Sequence, residues 1–354
     1  MSHRHPVLLL GRPVTITGLG TYVPQKAVTN DDLSQALHTS DEWIRQRTGI
    51  GERRIAESGV CSSDLGIVAA REALTDAGVE PGDIDLVVTS SISPDHIFPA
   101  TAARVAYTAG CVNAGAFDVQ AGCAGFVYGL AVAAGAVATG MGDTVLVVGA
   151  EAISRIIDWE DRGTAILFGD GAGAAIVSAL PGETRSGWAG DDGSVRSGIL
   201  GFDLGGDGSG ADALVIPAGG SRMPASLDTV AGRQHYMKMN GNEVYKFATR
   251  VVTHSAKKVL GRCGYTVQDL DLFVPHQANL RIIEGAVDKL GLPWERVYTN
   301  LQKYGNTSSA SIPLCLEEAR ADGRLKDGDL VLLMGFGAGL SWGACLMRWG
   351  AGGC

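Results

Sequence analysis

Cys123 lies in Phe117-Asp118-Val119-Gln120-Ala121-Gly122-Cys123-Ala124-Gly125-Phe126, after a short apolar strand-like run and before a long apolar helix-like run. In a strand–turn–helix setting a thiol can serve as a nucleophile. Small neighbours let the chain turn sharply, and the first amides of the helix place partial positive charge beside the sulfur, which predicts a lowered pKa. The plain alternative is a small buried hydrophobe. His276, in Val274-Pro275-His276-Gln277-Ala278-Asn279, and Asn306, in Tyr304-Gly305-Asn306-Thr307-Ser308-Ser309, add side-chain N–H donors. The histidine Nε2–H and the asparagine NH₂ can both donate to a carbonyl oxygen that becomes negative. A lone histidine is more often structural, and an asparagine after glycine is an ordinary turn residue. Taken together, the three make a coherent set for acyl transfer.

The elements that would position them repeat along the chain. Leu74, Gly78, Asp85 and Asp143 return as Leu260, Gly264, Asp271 and Asp329, each pair 186 positions apart. Asp83-Ile84-Asp85-Leu86-Val87-Val88 matches Asp269-Leu270-Asp271-Leu272-Phe273-Val274, and Gly142–Leu146 matches Gly328–Leu332. Each copy reads helix, buried strand, helix, buried strand, the pattern of parallel sheets covered on both faces. The same offset carries Cys123 to Ser309 and Ser90 to His276. If the two α/β halves are related by a pseudo-twofold axis, these strand ends converge on one cleft. Between the halves, residues 181–240 are rich in Gly, Asp and Ser, and Ser221–Ala225 reads as an excursion over the surface.

At 354 residues the chain can bury one large domain or two medium ones. A formal charge of −9 argues against a nucleic-acid footprint. Seven cysteines without a CxxC pair, and no secretory leader, point to a reducing, cytoplasmic compartment without a disulfide framework. The apolar patch Val7–Leu10 beside His3, Arg4 and His5 is too short for a signal segment. No residue between Asp118 and Asp143 is charged. That stretch is mostly alanine and glycine, and it reads as a closely packed buried helix rather than a membrane span. The run Phe168–Ala175 lacks the Lys-Ser/Thr of a phosphate loop and reads as close backbone packing. Gly335–Gly343 follows a buried strand, where free amides can form an oxyanion hole. No Cys/His spacing suggests a metal site.

Through Ala121–Phe126, Pro275–Asn279, Gly305–Ser308 and Gly337–Gly343, the chain resembles the β-ketoacyl-acyl-carrier-protein synthase III family over about residues 14–349. These are the initiating condensing enzymes of type II fatty acid synthesis. The resemblance implies a thiolase-like αβαβα layered sandwich. Residues 1–180 would carry the nucleophilic cysteine and residues 181–354 the histidine and asparagine. It implies catalysis by Cys123, His276 and Asn306, with an oxyanion hole from the N–H groups of Cys123 and Ala338. It places coenzyme A against Trp43 and Arg162, and closes the acyl pocket with Phe98 across a homodimer interface. Arg281, enlarged by Lys257 and Lys258, would dock the acidic carrier protein. The implied substrates are an acyl-CoA primer, acetyl-CoA in the simplest case, and malonyl-acyl carrier protein. No metal or redox cofactor, nucleic acid or membrane is implied. The alternative is a related acyltransferase or condensing enzyme of secondary metabolism with a small-molecule acceptor.

Overall fold

The computed structural model describes residues 11–180 and 197–350. The amino-terminal histidines, Val7–Leu10 and Cys354 lie outside the described residues. The first half contributes β1 (Val14–Tyr22), α1 (Asp41–Thr48), α2 (Ser62–Ala77), β2 (Leu86–Ser90), α3 (Thr101–Ala109), β3 (Gly115–Val119), α4 (Gly125–Thr139), β4 (Thr144–Glu151) and β5 (Gly171–Ala179). The second adds β6 (Gly198–Gly206), α5 (Gly241–Arg262), β7 (Leu272–Pro275), α6 (Leu280–Leu290), α7 (Ser311–Ala321), β8 (Leu330–Gly337) and β9 (Ser341–Arg348).

One sheet has the order β1-β5-β4-β2-β3 and the other β7-β8-β9-β6. The expectation of parallel sheets holds for part of each. β2 pairs parallel with β3 and β4, and β7 with β8, whereas β5, β9 and the outer β1 and β6 run antiparallel.

Side-chain alternation along the strands sorts the layers. Val145 and Val147 of β4 and Val331 and Leu333 of β8 face an inner core filled by Phe126, Val127 and Leu130 of α4 and Ile312 and Leu316 of α7. Leu146 and Val148 turn outward to Leu65, Ala69 and Val105 of α2 and α3. Leu332 and Leu346 turn to Phe247, Val251 and Ile283 of α5 and α6. The result is helix, sheet, helix, sheet, helix. The uncharged stretch is long and apolar enough to cross a membrane by length and composition, but Gly122–Thr139 is 67% buried inside the protein as part of the inner layer.

The repeat is visible in the elements themselves. β4 and β8 begin and end 186 positions apart, as do the starts of α4 and α7. The repeated aspartates do the same work in each copy: Asp85 accepts from the Thr144 N–H at 3.1 Å and Asp271 from the Leu330 N–H at 2.8 Å, each fixing the start of the neighbouring strand. The copies part at β3, whose counterpart is the short helix Leu301–Tyr304, so the second sheet has four strands.

Candidate active site

Cys123 sits in a single 3-10 turn, Gly122–Ala124, between β3 and α4, and His276 directly follows β7. Asn306 is clamped by backbone bonds to the Phe168 segment: its N–H donates to Leu167 at 2.8 Å, and the Gly169 N–H donates to its carbonyl at 3.1 Å. That is the close backbone packing expected of the Phe168 run. All three side chains line one cavity of ≈ 600 Å³. The rest of the wall is mostly apolar, including Ile156, Leu214, Met237, Met239, Val244 and Phe336. Leu214, Met237 and Met239 come from the stretch between the halves, which therefore walls the cavity, while Ser221–Ala225 is exposed as expected.

Two glycines permit a close approach beneath the thiol. Gly122 has φ +55°, and a Cβ there would lie 2.8 Å from the Ala338 N. A Cβ on Gly337 would lie 2.8 Å from the Cys123 N and 3.1 Å from its Sγ. Backbone of the Gly337–Ala338 corner thus lies directly against the cysteine turn. Ser341 Oγ holds the two together, 2.7 Å from the Ala121 carbonyl and 2.8 Å from that of Ala338.

The electrostatics correct one expectation. Burial pushes the Cys123 thiol up to about 12, and the nearby Glu151 carboxylate adds to the rise. The Ser308 hydroxyl and the cysteine's own N–H pull the other way. The helix start does not outweigh removal from water, so the resting thiol is neutral. Burial also pushes His276 down to about 3, leaving a neutral imidazole. Its Nδ1 lies 2.7 Å from Ser311 Oγ, and its ring meets Phe336 edge-on with centroids 5.3 Å apart. The Asn306 Oδ1 accepts the Ser308 N–H at 2.9 Å, which fixes the amide plane and leaves the NH₂ as its donor.

The more distant expected residues are placed unevenly. Trp43, on α1 behind an N-cap in which Ser40 accepts its N–H, has the Arg162 guanidinium 4.6 Å from its ring centroid and that of Arg47 at 5.3 Å. Trp43 and Arg162 are therefore together, in direct cation–π contact rather than held apart around a gap. Phe98 is 87% exposed and does not line the cavity of its own chain. Arg281 stands in the first turn of α6 between the cavity residues Asn279 and Ile282. Lys257 and Lys258 do not extend that patch. Lys257 borders Leu290, at the far end of α6, and Lys258 is paired at 2.6 Å with the buried Asp203. Glu151, Ser308 and Ser311 were missed. Glu151 had a signal: it is the one acid closing the otherwise apolar run Val145–Ala150.

Family models for 3-oxoacyl-[acyl-carrier-protein] synthase III match residues 117–192, and for its C-terminal part residues 260–349. The β-ketoacyl-[acyl-carrier-protein] synthase III of Symbiobacterium thermophilum is 51% identical, over 96% of this chain and 99% of its own. The chain belongs to the β-ketoacyl-acyl-carrier-protein synthase III family. It is a condensing acyltransferase that initiates fatty acid synthesis, built on the thiolase fold. The solved Thermus thermophilus synthase III is 46% identical with a TM-score of 0.83, covering 95% of this chain and 99% of that one. The priming β-ketosynthase of the R1128 polyketide pathway, 38% identical, superposes with a TM-score of 0.85 over 98% of this chain and 99% of its own.

Proposed function

We propose that Cys123 takes the acyl group of an acyl-CoA and that malonyl-acyl carrier protein then discharges it by decarboxylative condensation. In the first half-reaction, the N–H groups of Cys123 and Ala338 hold the oxyanion of the tetrahedral intermediate. In the second, His276 and Asn306 donate to the malonyl thioester oxygen as CO₂ leaves and an enolate forms. Ser311 sets the histidine up for this. Its oxygen receives the Gln277 N–H at 3.4 Å and lies 2.7 Å from Nδ1 and 2.8 Å from the Ser308 carbonyl; in the tautomer that donates to the substrate, the Ser311 proton turns from that carbonyl to Nδ1 and Nε2–H faces the cavity. The resulting carbanion attacks the acyl-cysteine. The observation that carries this reading is the meeting of Cys123, His276 and Asn306 in a single apolar-walled cavity.

Residues 1–180 supply the nucleophile in this reading and residues 181–354 the two enolate donors. Coenzyme A stacks at Trp43 and Arg162, whose present contact opens to admit the adenine. Carrier-protein docking centres on Arg281, joined by Lys246 and Arg250. Both are exposed on α5 within two turns of the cavity residue Val244. A cytoplasmic homodimer, in which each Phe98 closes the partner's acyl cavity, is supported by the exposed Ile97 and Phe98 and by β3 forming a sheet edge. Fatty acid priming is favoured over polyketide priming by the higher identity to the Symbiobacterium synthase, 51% against 38%.

The test is intact-protein mass spectrometry after incubation with a panel of acyl-CoAs, followed by malonyl-acyl carrier protein. One acyl mass on Cys123, lost as β-ketoacyl-carrier protein appears, is the expected result. Acylation that the malonyl carrier cannot discharge would favour a transferase with another acceptor.

A further inference from the structure

Under the Cys123 turn lies a buried acid that the reaction above leaves unused. Glu151, at the end of β4, is fully buried, and its five hydrogen bonds all come from hydroxyl and backbone N–H donors. Oε2 accepts from Ser93 Oγ at 2.7 Å, the Ile92 N–H at 3.0 Å and Ser91 Oγ at 3.2 Å. Oε1 accepts from Ser309 Oγ at 2.7 Å and the Ser309 N–H at 3.3 Å. The Glu151 charge reaches Cys123, where it adds to the rise of the thiol's pKa.

The turn carrying Ser308 packs on the turn carrying Cys123. The Ser308 hydroxyl is buried with no hydrogen-bond partner, a costly state for a polar atom. Its neighbour Ser309 holds the Glu151 carboxyl at 2.7 Å while its own turn packs on that of Cys123, so the free Ser308 hydroxyl sits in the same buried cluster as the thiol and the acid and favours the ionised form of each. Its backbone is held at φ +48°, which a non-glycine residue rarely adopts and which points to a position fixed for use.

Glu151 is also built to exist with or without a proton. A proton on Oε1 donates to Ser309 Oγ, and the Ser309 proton then turns to the Ser90 carbonyl at 3.0 Å. No partner is lost in either state.

We infer that Glu151 receives the Cys123 proton through the Ser308 hydroxyl when the thiol attacks acyl-CoA, an inference that rests on Cys123 being the acylated residue. The Cys123 S–H bond breaks as its proton passes to Ser308 Oγ and the Ser308 proton passes to Glu151. The sulfur lone pair forms the new bond to the acyl carbon. The old C–S bond breaks with its electron pair on the coenzyme A sulfur, which takes a proton from water. Glu151 keeps its proton until the carbanion displaces Cys123 as a thiolate, and then returns it along the same path. Over a turnover the only proton taken from water is the one on coenzyme A.

The test is the pH profile of Cys123 acylation in single turnover, read by intact mass, for the wild type, Glu151→Gln and Ser308→Ala. With an internal acceptor, the wild-type rate is flat across the neutral range. Both variants must lose the proton to water, so each acylates about 100-fold more slowly at pH 7 and gains tenfold per pH unit. A variant that is slower but keeps the flat profile would make Glu151 a packing residue and overturn the relay, as would wild-type rates. Ser308→Ala carries the test if Glu151→Gln fails to fold. Absence of acylation on Cys123 in the wild type would instead overturn the functional reading.

Discussion

The Nδ1 of His276 and the Oγ of Ser311 lie 2.7 Å apart in a site where both residues are almost wholly buried. A side chain at the first residue of α7 in the inner layer therefore orients a ring just past the edge strand β7. Ser311→Ala leaves Nδ1 without a partner, at a cost of about 1–3 kcal/mol for the buried nitrogen. Malonyl decarboxylation should fall by roughly tenfold or more, while Cys123 acylation stays within about twofold. Single-turnover assays of the two half-reactions check this.

The burial that keeps His276 neutral makes a prediction about pH. Its folded pKa of about 3 lies below the ordinary value of 6.5, so the unfolded chain binds the proton first. Its contribution to stability is complete above about pH 6.5 and is lost as pH falls towards 3, by up to about 1.4 kcal/mol per unit. Denaturant unfolding at a series of pH values should show one proton's worth of slope that disappears in His276→Gln. For the same reason, malonyl discharge should show no acid limb near pH 6.5 belonging to this residue.

Asn306 presents its NH₂ because its Oδ1 is occupied by the Ser308 N–H. Asn306→Ala should slow decarboxylation by about 10²–10³-fold, the usual loss for one oxyanion donor, and leave acyl-enzyme formation nearly unchanged. Release of CO₂ from labelled malonyl substrate gives the first number and intact mass the second. Condensation at the wild-type rate would remove the assigned role.

Gly337→Ala tests the close approach beneath the thiol. The new methyl would press on the Cys123 N and Sγ at 2.8 and 3.1 Å, so the cysteine turn or the Gly337–Ala338 corner must shift. Overpacking of this kind costs about 1–3 kcal/mol, so the melting temperature should drop by a few degrees. Acylation should fall much further than stability, by about 100-fold, because the oxyanion amides move with the sulfur. A loss of stability with normal acylation would show that the corner is structural alone.

Much of this architecture was legible in the residues. The apolar runs Val145–Ala150 and Leu330–Gly335 predict buried strands, and their constant spacing marks two related halves. The spacing also brought His276 and the Ser309 turn to the cleft of Cys123. What stayed hidden depends on partners distant in sequence. Lys258 looked free because nothing nearby in the chain reveals its pairing with Asp203. The thiol looked activated because a helix start is local information, whereas burial is not. Leu214 and Met239 pair in a two-residue antiparallel ladder with Met237 just before it, pieces too short to show a periodicity that would mark them as cavity wall.

The correspondence of Cys123 with Ser309 has a consequence for how such chains can change. A duplicated ancestor would have had two equivalent turns. Here one copy keeps the reactive sulfur, while the other has become the clasp on the first copy's Glu151, with its hydroxyl 2.7 Å from that carboxylate. Descendants therefore inherit the centre as a matched set. A chimera that joins one half to a relative's other half will function when the acid and its clasp arrive as a compatible pair, whatever the overall identity of the two parents.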